Sequence, residues 1–505
     1  MKRIGIIDTT LRDAHQCLWA TRMTTAMMLP VAEKMDAIGF DQIDLAGTIQ
    51  FDVCVRYLKE DPWLRVRLMR ERIRNTPLRA LMRSKNLLSF DILPDDINEL
   101  WAERLVANGF RVVGVFDGLN DVDNMLVGIR KAKSLGVCTF GALAFSLSPV
   151  HTDELYMRTA QDLVARGKVD AIMLKDSSGL LTPDRIRTLV PALKRVIGDV
   201  SLEIHSHCLT ALAPLVYLEA VKLGADQLHA SIAPLASGPA QPASQMVVRN
   251  LRAQGYRIDY EQELADQVGE HFRRVAEQED LPLGIPAEYD AFHYEHQMPG
   301  GMLSNFKAQL VQAGLAHKFD ELLEECSRIR RELGWPIMIT PFSQYVGTQA
   351  VLNIVRGERY AIVPDEVKKY ALGYYGKLLA PVDPDVLDRI IENGSKQISL
   401  KAAPPPPAVE ALRKQYPSAS DDERLLRFQF PGLQVDDMLA AGPMRSAYKF
   451  NSPVVQLMEA LAKRPRLTRV YIEKGDTRIE IKSDNIRGKA ANDPVGVTTE
   501  TRFET

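Results

Sequence analysis

AIMLKDSSGLLTPDRIRTLVPALKRVIGDVSLEIHSHC, residues 171–208, contains the unit from which the fold is built. Two short apolar runs, Ala171–Leu174 and Leu202–His205, flank an amphipathic stretch, as in a strand, a covering helix and a second parallel strand. Outward from this unit the pattern recurs, with strand-like runs at Ile4–Asp8, Gln42–Leu45, Leu78–Met82, Val112–Phe116, Thr139–Phe145 and Gln227–Ala230, eight in all. Met23, Met27, Val31, Met35 and Ile38 lie on one helical stripe, and Gly39, Gly109, Gly136, Gly167 and Gly224 stand where such segments close. Eight strand and helix units predict an α/β fold, a (β/α)8 or TIM barrel, for which about 250 residues is typical. A doubly wound open sheet is the competing topology.

From Tyr256 onward the strand runs give way to helical patterns such as Glu261–Gln278, Asn305–Ala313 and Asp320–Leu333. The run Pro404–Pro407 favours an extended spacer, because consecutive prolines cannot continue a helix. Residues 453–482 read as a helix followed by two alternating strands across a Gly475-Asp476 turn. The expected organisation is a barrel over 1–290, a helical domain over 291–403, a Pro-rich linker with a helical extension over 404–450, a helix-hairpin module over 451–485 and a mobile tail over 486–505.

Composition narrows the function. In 505 residues, 63 Lys and Arg oppose 65 Asp and Glu, a formal charge of −2 that does not suit a chain built to grip phosphate backbones. Nucleic acid is not an expected partner. The five cysteines, Cys17, Cys54, Cys138, Cys208 and Cys326, never form a CxxC pair, which fits a reducing compartment. No window approaches the roughly 20 apolar residues of a membrane span, so a soluble, cytoplasmic protein is expected.

In a barrel of this kind chemistry gathers at the C-terminal ends of the strands. Asp13 follows the first strand, Lys175 the sixth, and His205 and His207 end the seventh. Alternation along a strand aims His205 and His207 to the same side and sends Ser206 and Cys208 to the other. Two imidazoles and a carboxylate suit a borderline divalent ion such as Zn, Co or Mn. The bland alternatives are barrel-mouth histidines, with Asp13 as a cap or ion-pair partner. Lys175 would be repelled by a dication, but as a neutral amine it can take up CO2 and offer a carbamate oxygen; its alternative is an ion pair with Asp176 or another carboxylate. No GxxxxGK[ST], no strand-linked GxGxxG, no GxSxG and no HExxH occurs, which lowers ATP, dinucleotide, serine-hydrolase and zincin readings.

DTTLRDAHQ (Asp8–Gln16), ATRM (Ala20–Met23), EDPW (Glu60–Trp63), LMRSKN (Leu81–Asn86), VFDGLND (Val115–Asp121) and SLSPVHT (Ser146–Thr152) are followed in order by LKDSSGLLTP (Leu174–Pro183), IHSH (Ile204–His207), PGGMLSN (Pro299–Asn305), ITPFSQYVGTQAV (Ile339–Val351) and LGYYG (Leu372–Gly376). This series resembles the biotin-dependent carboxyltransferase family, which includes the carboxyltransferase domain of pyruvate carboxylase, the oxaloacetate decarboxylase α chain and the keto-acid subunit of transcarboxylase. The resemblance covers residues 4 to 440. It implies a TIM barrel with a helical funnel and a divalent metal held by Asp13, His205, His207 and a carbamylated Lys175. Gln16 and Arg83 match positions that bind the keto acid, with Arg12 and His15 close by. Thr340 matches the threonine that passes a proton between the substrate methyl group and biotin. The implied reaction carries a carboxyl group between carboxybiotin and pyruvate or a similar 2-keto acid, through an enolate stabilised by Arg83 and the metal field.

Around these positions the sequence departs from the family pattern. DLAGTIQ (Asp44–Gln50) stands for E-x-W-G-G-A, and LMRSKN for LLRGxN, which sets Ser84 and Lys85 beside Arg83. Gly114 replaces an arginine, Cys17 a serine and Ser177-Ser178 a Met-Ala pair. No A/V-M-K-M biotinylation motif occurs, so biotin is expected on a separate carrier protein, with a biotin carboxylase as a further partner. Residues 453–482 resemble the segment before the biotinyl domain of biotin carboxyl carrier proteins; they read either as a carrier-docking module or as a terminal cap. Self-association into a homo-oligomer is also expected. DTTLRD with H-x-H resembles metal-dependent aldol-type lyases and acyl-CoA condensing enzymes as well, and a non-catalytic scaffold protein is a third reading.

Overall fold

The computed structural model describes residues 1–299, 302, 310–311 and 314–452, and the backbone of 469–474 and 477–482. Most of the expected helix at 305–313, the helix expected before the hairpin and the tail lie outside the described residues. Eight strands, β1 (Gly5–Asp8), β2 (Gln42–Gly47), β3 (Leu78–Arg83), β4 (Val112–Phe116), β5 (Cys138–Ala144), β6 (Ala171–Asp176), β7 (Ser201–Ser206) and β8 (Gln227–Ala230), form one closed parallel ring in sequence order. β8 closes on β1, with Gly5 opposite Gln227 and Asp8 opposite Ala230, which excludes the open sheet. Strands covered by helices outside and filled by side chains inside have no polar face; β3, β4 and β6 are buried along their whole length.

The covering helices follow from local chemistry. Thr182 accepts the Arg185 N–H, Pro183 occupies the first turn, and Ile186, Leu189, Val190, Leu193 and Ile197 bury one face of helix Pro183–Ile197. The stripe Met23 to Ile38 is buried as expected, but it does not form one helix. Pro30 lacks an N–H and crowds the preceding turn, so the segment divides into helix Thr25–Met28, a 3-10 turn Leu29–Val31 and helix Ala32–Ala37.

The chain forms two compact units. The first, Met1–Ala276 with Leu281–Tyr448, holds the barrel and a helical layer. Helices Phe319–Glu332, Phe342–Arg356, Asp365–Ala371 and Pro384–Asn393 share a core built on Leu322, Cys326, Ile329, Val346, Tyr360, Val367 and Ile390. Leu119, from the loop after β4, belongs to this core. Conversely, Ile337 and Ile339 pack among Leu81, Phe116, Phe140, Ala142, Ala144 and Met173 of the barrel, so the segment before helix Phe342–Arg356 plugs the ring. Farther on, Asp422 takes contacts from Arg67, Arg104 and Asn108, which docks helix Asp421–Gln429 on the barrel's outer helices. The second unit, Glu277–Asp280 and residues from Lys449 on, contains the antiparallel pair β9 (Arg469–Lys474) and β10 (Thr477–Lys482), in the register expected of a two-residue turn. No helix among the described residues is long and apolar enough to cross a membrane.

Candidate active site

The loop after β1 winds into a short π-helical turn, Thr10–Ala14, that lays Asp13 over the end of β7. Asp13 Oδ2 lies 3.0 Å from His205 Nε2 and 3.2 Å from His207 Nε2, and the two Nε2 atoms are 3.2 Å apart. Donors about 2.1 Å from a shared ion at octahedral or tetrahedral angles stand roughly 3.0–3.4 Å apart, so these three atoms have the spacing of a common divalent ion. All three side chains are buried. Lys175, beside His205 in strand register, brings Nζ to 3.2 Å from His205 Nε2 and 3.9 Å from Asp13 Oδ2. The four residues expected to act together at the strand ends are therefore brought together.

Their orientation is fixed from behind. Arg12 bonds Asp13 Oδ1 at 2.7 Å and Asp44 Oδ2 at 2.6 Å, which turns the other Asp13 oxygen toward the histidines. His207 Nδ1 lies 2.6 Å from the Pro239 carbonyl, which can only accept, so Nδ1 carries a proton and Nε2 is the nitrogen turned to the cluster as the potential ligand. Burial opposes the Asp13 carboxylate, but Arg12, Lys175 and His207 outweigh it and hold the group well below the ordinary carboxylate range. Burial and the neighbouring Lys175 keep His205 neutral. Asp13 lifts His207 to about 10 against burial, a field that places a proton on Nε2 beside Asp13 unless a metal cation takes that position. Burial lowers Lys175 to about 8, so an appreciable fraction of neutral amine exists near neutral pH.

Three groups here were not singled out from sequence. Gln241 Nε2 donates to Asp13 Oδ2 at 2.9 Å and lies 2.9 Å from His207 Nε2, while its Oε1 accepts from Thr9 Oγ1. It sits in an irregular loop after β8, where no periodicity marks it. Behind His205 lie His229 on β8 and Glu203 on β7, the latter paired with Arg79 of β3. Glu203 could have been found, since it lies two residues before His205 and therefore on the same strand face.

Arg83 ends β3, at the same end of the barrel, and is 6% exposed. Its Nη2 donates to the Ser89 carbonyl at 2.6 Å, its Nε has no partner, and no carboxylate pairs with it among the described residues. Burial pulls it down to about 10, the cost of a guanidinium without a counter-ion. Gln16 is half-buried, and its Oε1 accepts from Gln50 Nε2 at 3.2 Å, leaving its amide N–H groups available. His15 is fully buried with Nε2 on the Leu11 carbonyl at 2.9 Å, and Arg12 is engaged by Asp13 and Asp44. Thr340 is half-buried, with Oγ1 accepting from Gln344 at 3.3 Å. It follows Ile339, whose apolar cluster includes Ala144, in register with Lys175, and Ser178 Oγ after β6 donates to the Met338 carbonyl at 3.4 Å. Thr340 thus lies over the barrel mouth near β6.

Residues 294–478 match the family described as the conserved carboxylase domain. The chain is 42% identical over 414 residues to a pyruvate carboxylase subunit of Methanocaldococcus jannaschii, a match covering 82% of this chain and 73% of that one. It is 33% identical over 404 residues to the methylmalonyl-CoA carboxyltransferase 5S subunit of Propionibacterium freudenreichii, covering 80% of this chain and 79% of that one. Among solved structures, the carboxyl transferase domain of Rhizobium etli pyruvate carboxylase with oxamate and biotin superposes with a TM-score of 0.79 at 25% identity, over 87% of this chain and 78% of that chain.

Proposed function

The chain belongs to the family of biotin-dependent carboxyltransferases, and from that membership we propose that it moves a carboxyl group between biotin on a carrier protein and the methyl carbon of a small 2-keto acid such as pyruvate. In reverse the same parts decarboxylate an oxaloacetate-like acid. The observation that carries the reading is the pairing, at one end of the barrel, of a buried donor cluster with a buried guanidinium that has no carboxylate partner among the described residues.

In this reading Asp13, His205, His207 and Lys175 hold a divalent ion, Zn, Co or Mn. The ion supplies positive field where negative charge develops on the substrate. Lys175 joins as a carbamate: its neutral amine forms a bond to CO2 and releases one proton to solvent, which turns a repelled group into an oxygen ligand. Arg12 holds Asp13 in place, and His15 packs the loop that carries Asp13 and Gln16. Gln16 and Arg83 bind the keto acid, and Arg83, fixed and shielded from water, stabilises the enolate oxygen. Thr340 Oγ takes a proton from the substrate methyl group while giving its own toward biotin, since a hydroxyl donates and accepts at once. Carried biotin supplies CO2 and the nitrogen that receives that proton.

The helical layer over 291–403 is read as a funnel leading the carrier to the mouth of the 1–290 barrel, and 451–485 as the docking module beyond the 404–450 extension. A biotin carboxyl carrier protein and a biotin carboxylase complete a cytoplasmic complex in which this chain associates with copies of itself. The test is biotin dependence: with carrier and carboxylase reconstituted, avidin is expected to abolish keto-acid carboxylation. Turnover of a keto acid that persists under avidin would instead identify an aldol-type lyase.

A further inference from the structure

Behind the donor cluster a line of polar groups runs down the inside of the barrel and serves no step of the reaction above. His205 Nδ1 faces His229 Nδ1 at 3.2 Å, and His229 Nε2 faces Glu203 Oε2 at 3.1 Å. Arg79 grips both Glu203 oxygens, at 2.6 and 3.0 Å, donates to Gln42 Oε1 at 2.9 Å and lies over the Phe140 ring at 3.5 Å. Arg79, Glu203, His205 and His229 are all 0% exposed, so these groups face one another and not bulk water.

We propose that Glu203 and His229 are positioning residues that lock His205 into the tautomer a metal ligand requires. This rests on the reading of Asp13, His205 and His207 as a metal site. The argument is one of proton counting. A carboxylate bound by a guanidinium accepts only, so the Glu203 oxygen facing His229 draws the ring proton of His229 to Nε2. His229 Nδ1 is then a lone pair. The nitrogen facing it, His205 Nδ1, must donate, and the neutral His205 ring is left with its lone pair on Nε2, directed at Asp13 Oδ2 and His207 Nε2. With the acid removed, His229 could hold its proton on Nδ1, and His205 would answer with its own proton on Nε2, where a metal cannot bind. His207 needs no such relay, because a backbone carbonyl fixes it. Partners of this kind typically change metal affinity by about 10- to 100-fold.

The test uses the full chain, Co(II) alone as probe, competition against a chromophoric chelator, and the visible absorption of the bound ion. His229→Asn keeps an acceptor oxygen near the Nδ1 position; His229→Gln reaches toward Glu203 but leaves the His205 proton without an acceptor. The Asn variant is expected to hold Co(II) with nearly wild-type bands, and the Gln variant to bind at least tenfold more weakly with altered bands. His229→Leu, if it folds, should behave as the Gln variant. Equal affinity and identical bands in the Asn and Gln variants would overturn the proposal. Wild-type protein that takes up no Co(II) would refute the metal site itself, a separate outcome.

Discussion

Arg83 carries a positive charge into a buried position where no carboxylate among the described residues answers it, which a structural arginine rarely does. If the keto acid is its partner, Arg83→Ala should fold at least as stably and lose about 100-fold or more in kcat/KM for the keto acid. Arg83→Lys should recover little, because an ammonium cannot present a planar fork. Steady-state kinetics with a melting curve checks both. Thr340 invites a sharper contrast. As a turn residue its loss would cost about 1 kcal/mol of stability and spare the chemistry. As a proton carrier, Thr340→Ala should keep its fold and metal yet lose transfer by several orders of magnitude, while Thr340→Ser keeps part of it. At Gly114 a Cβ would stand 2.0 Å from the Phe140 ring, which in turn carries Arg79, so the missing arginine of the family pattern makes room here for an aromatic ring.

Among the elements, β7 was the most legible. Alternation alone set His205 and His207 on one side, and the same rule would have reached Glu203; the strand starts and ends fall within two residues of those expected because apolar runs bounded by polar turns leave little freedom. What periodicity could not give is the meeting of distant segments: Gln241 on Asp13, His229 behind His205, or Arg12 turned inward to Asp13 and Asp44. These depend on barrel closure and loop path, which no local pattern encodes. The same holds for the plug at Ile337 and Ile339, which seats Thr340. Ile339→Ala should cost about 2–4 kcal/mol in denaturant unfolding and lower kcat as Thr340 loses its support, with keto-acid KM little changed.

For the whole molecule, the barrel and the helical layer form one unit whose cores interlock through Leu119 in one direction and Ile337 and Ile339 in the other. A ligand that binds only the folded state stabilises it, by about 2.7 kcal/mol at 100 times its Kd. Stripping metal with a chelator should therefore lower the melting temperature of the wild type reversibly, and His205→Ala/His207→Ala should melt at the same temperature with or without added Zn(II). The claim that this chain is a carboxyltransferase is tested most directly by following a labelled carboxyl group. With biotinyl carrier charged with 14C-carboxyl and then freed of ATP and bicarbonate, addition of this protein and pyruvate should move the label into oxaloacetate, and Thr340→Ala should not. Label that stays on the carrier, or leaves it as CO2 alone with every small 2-keto acid offered, would contradict the account.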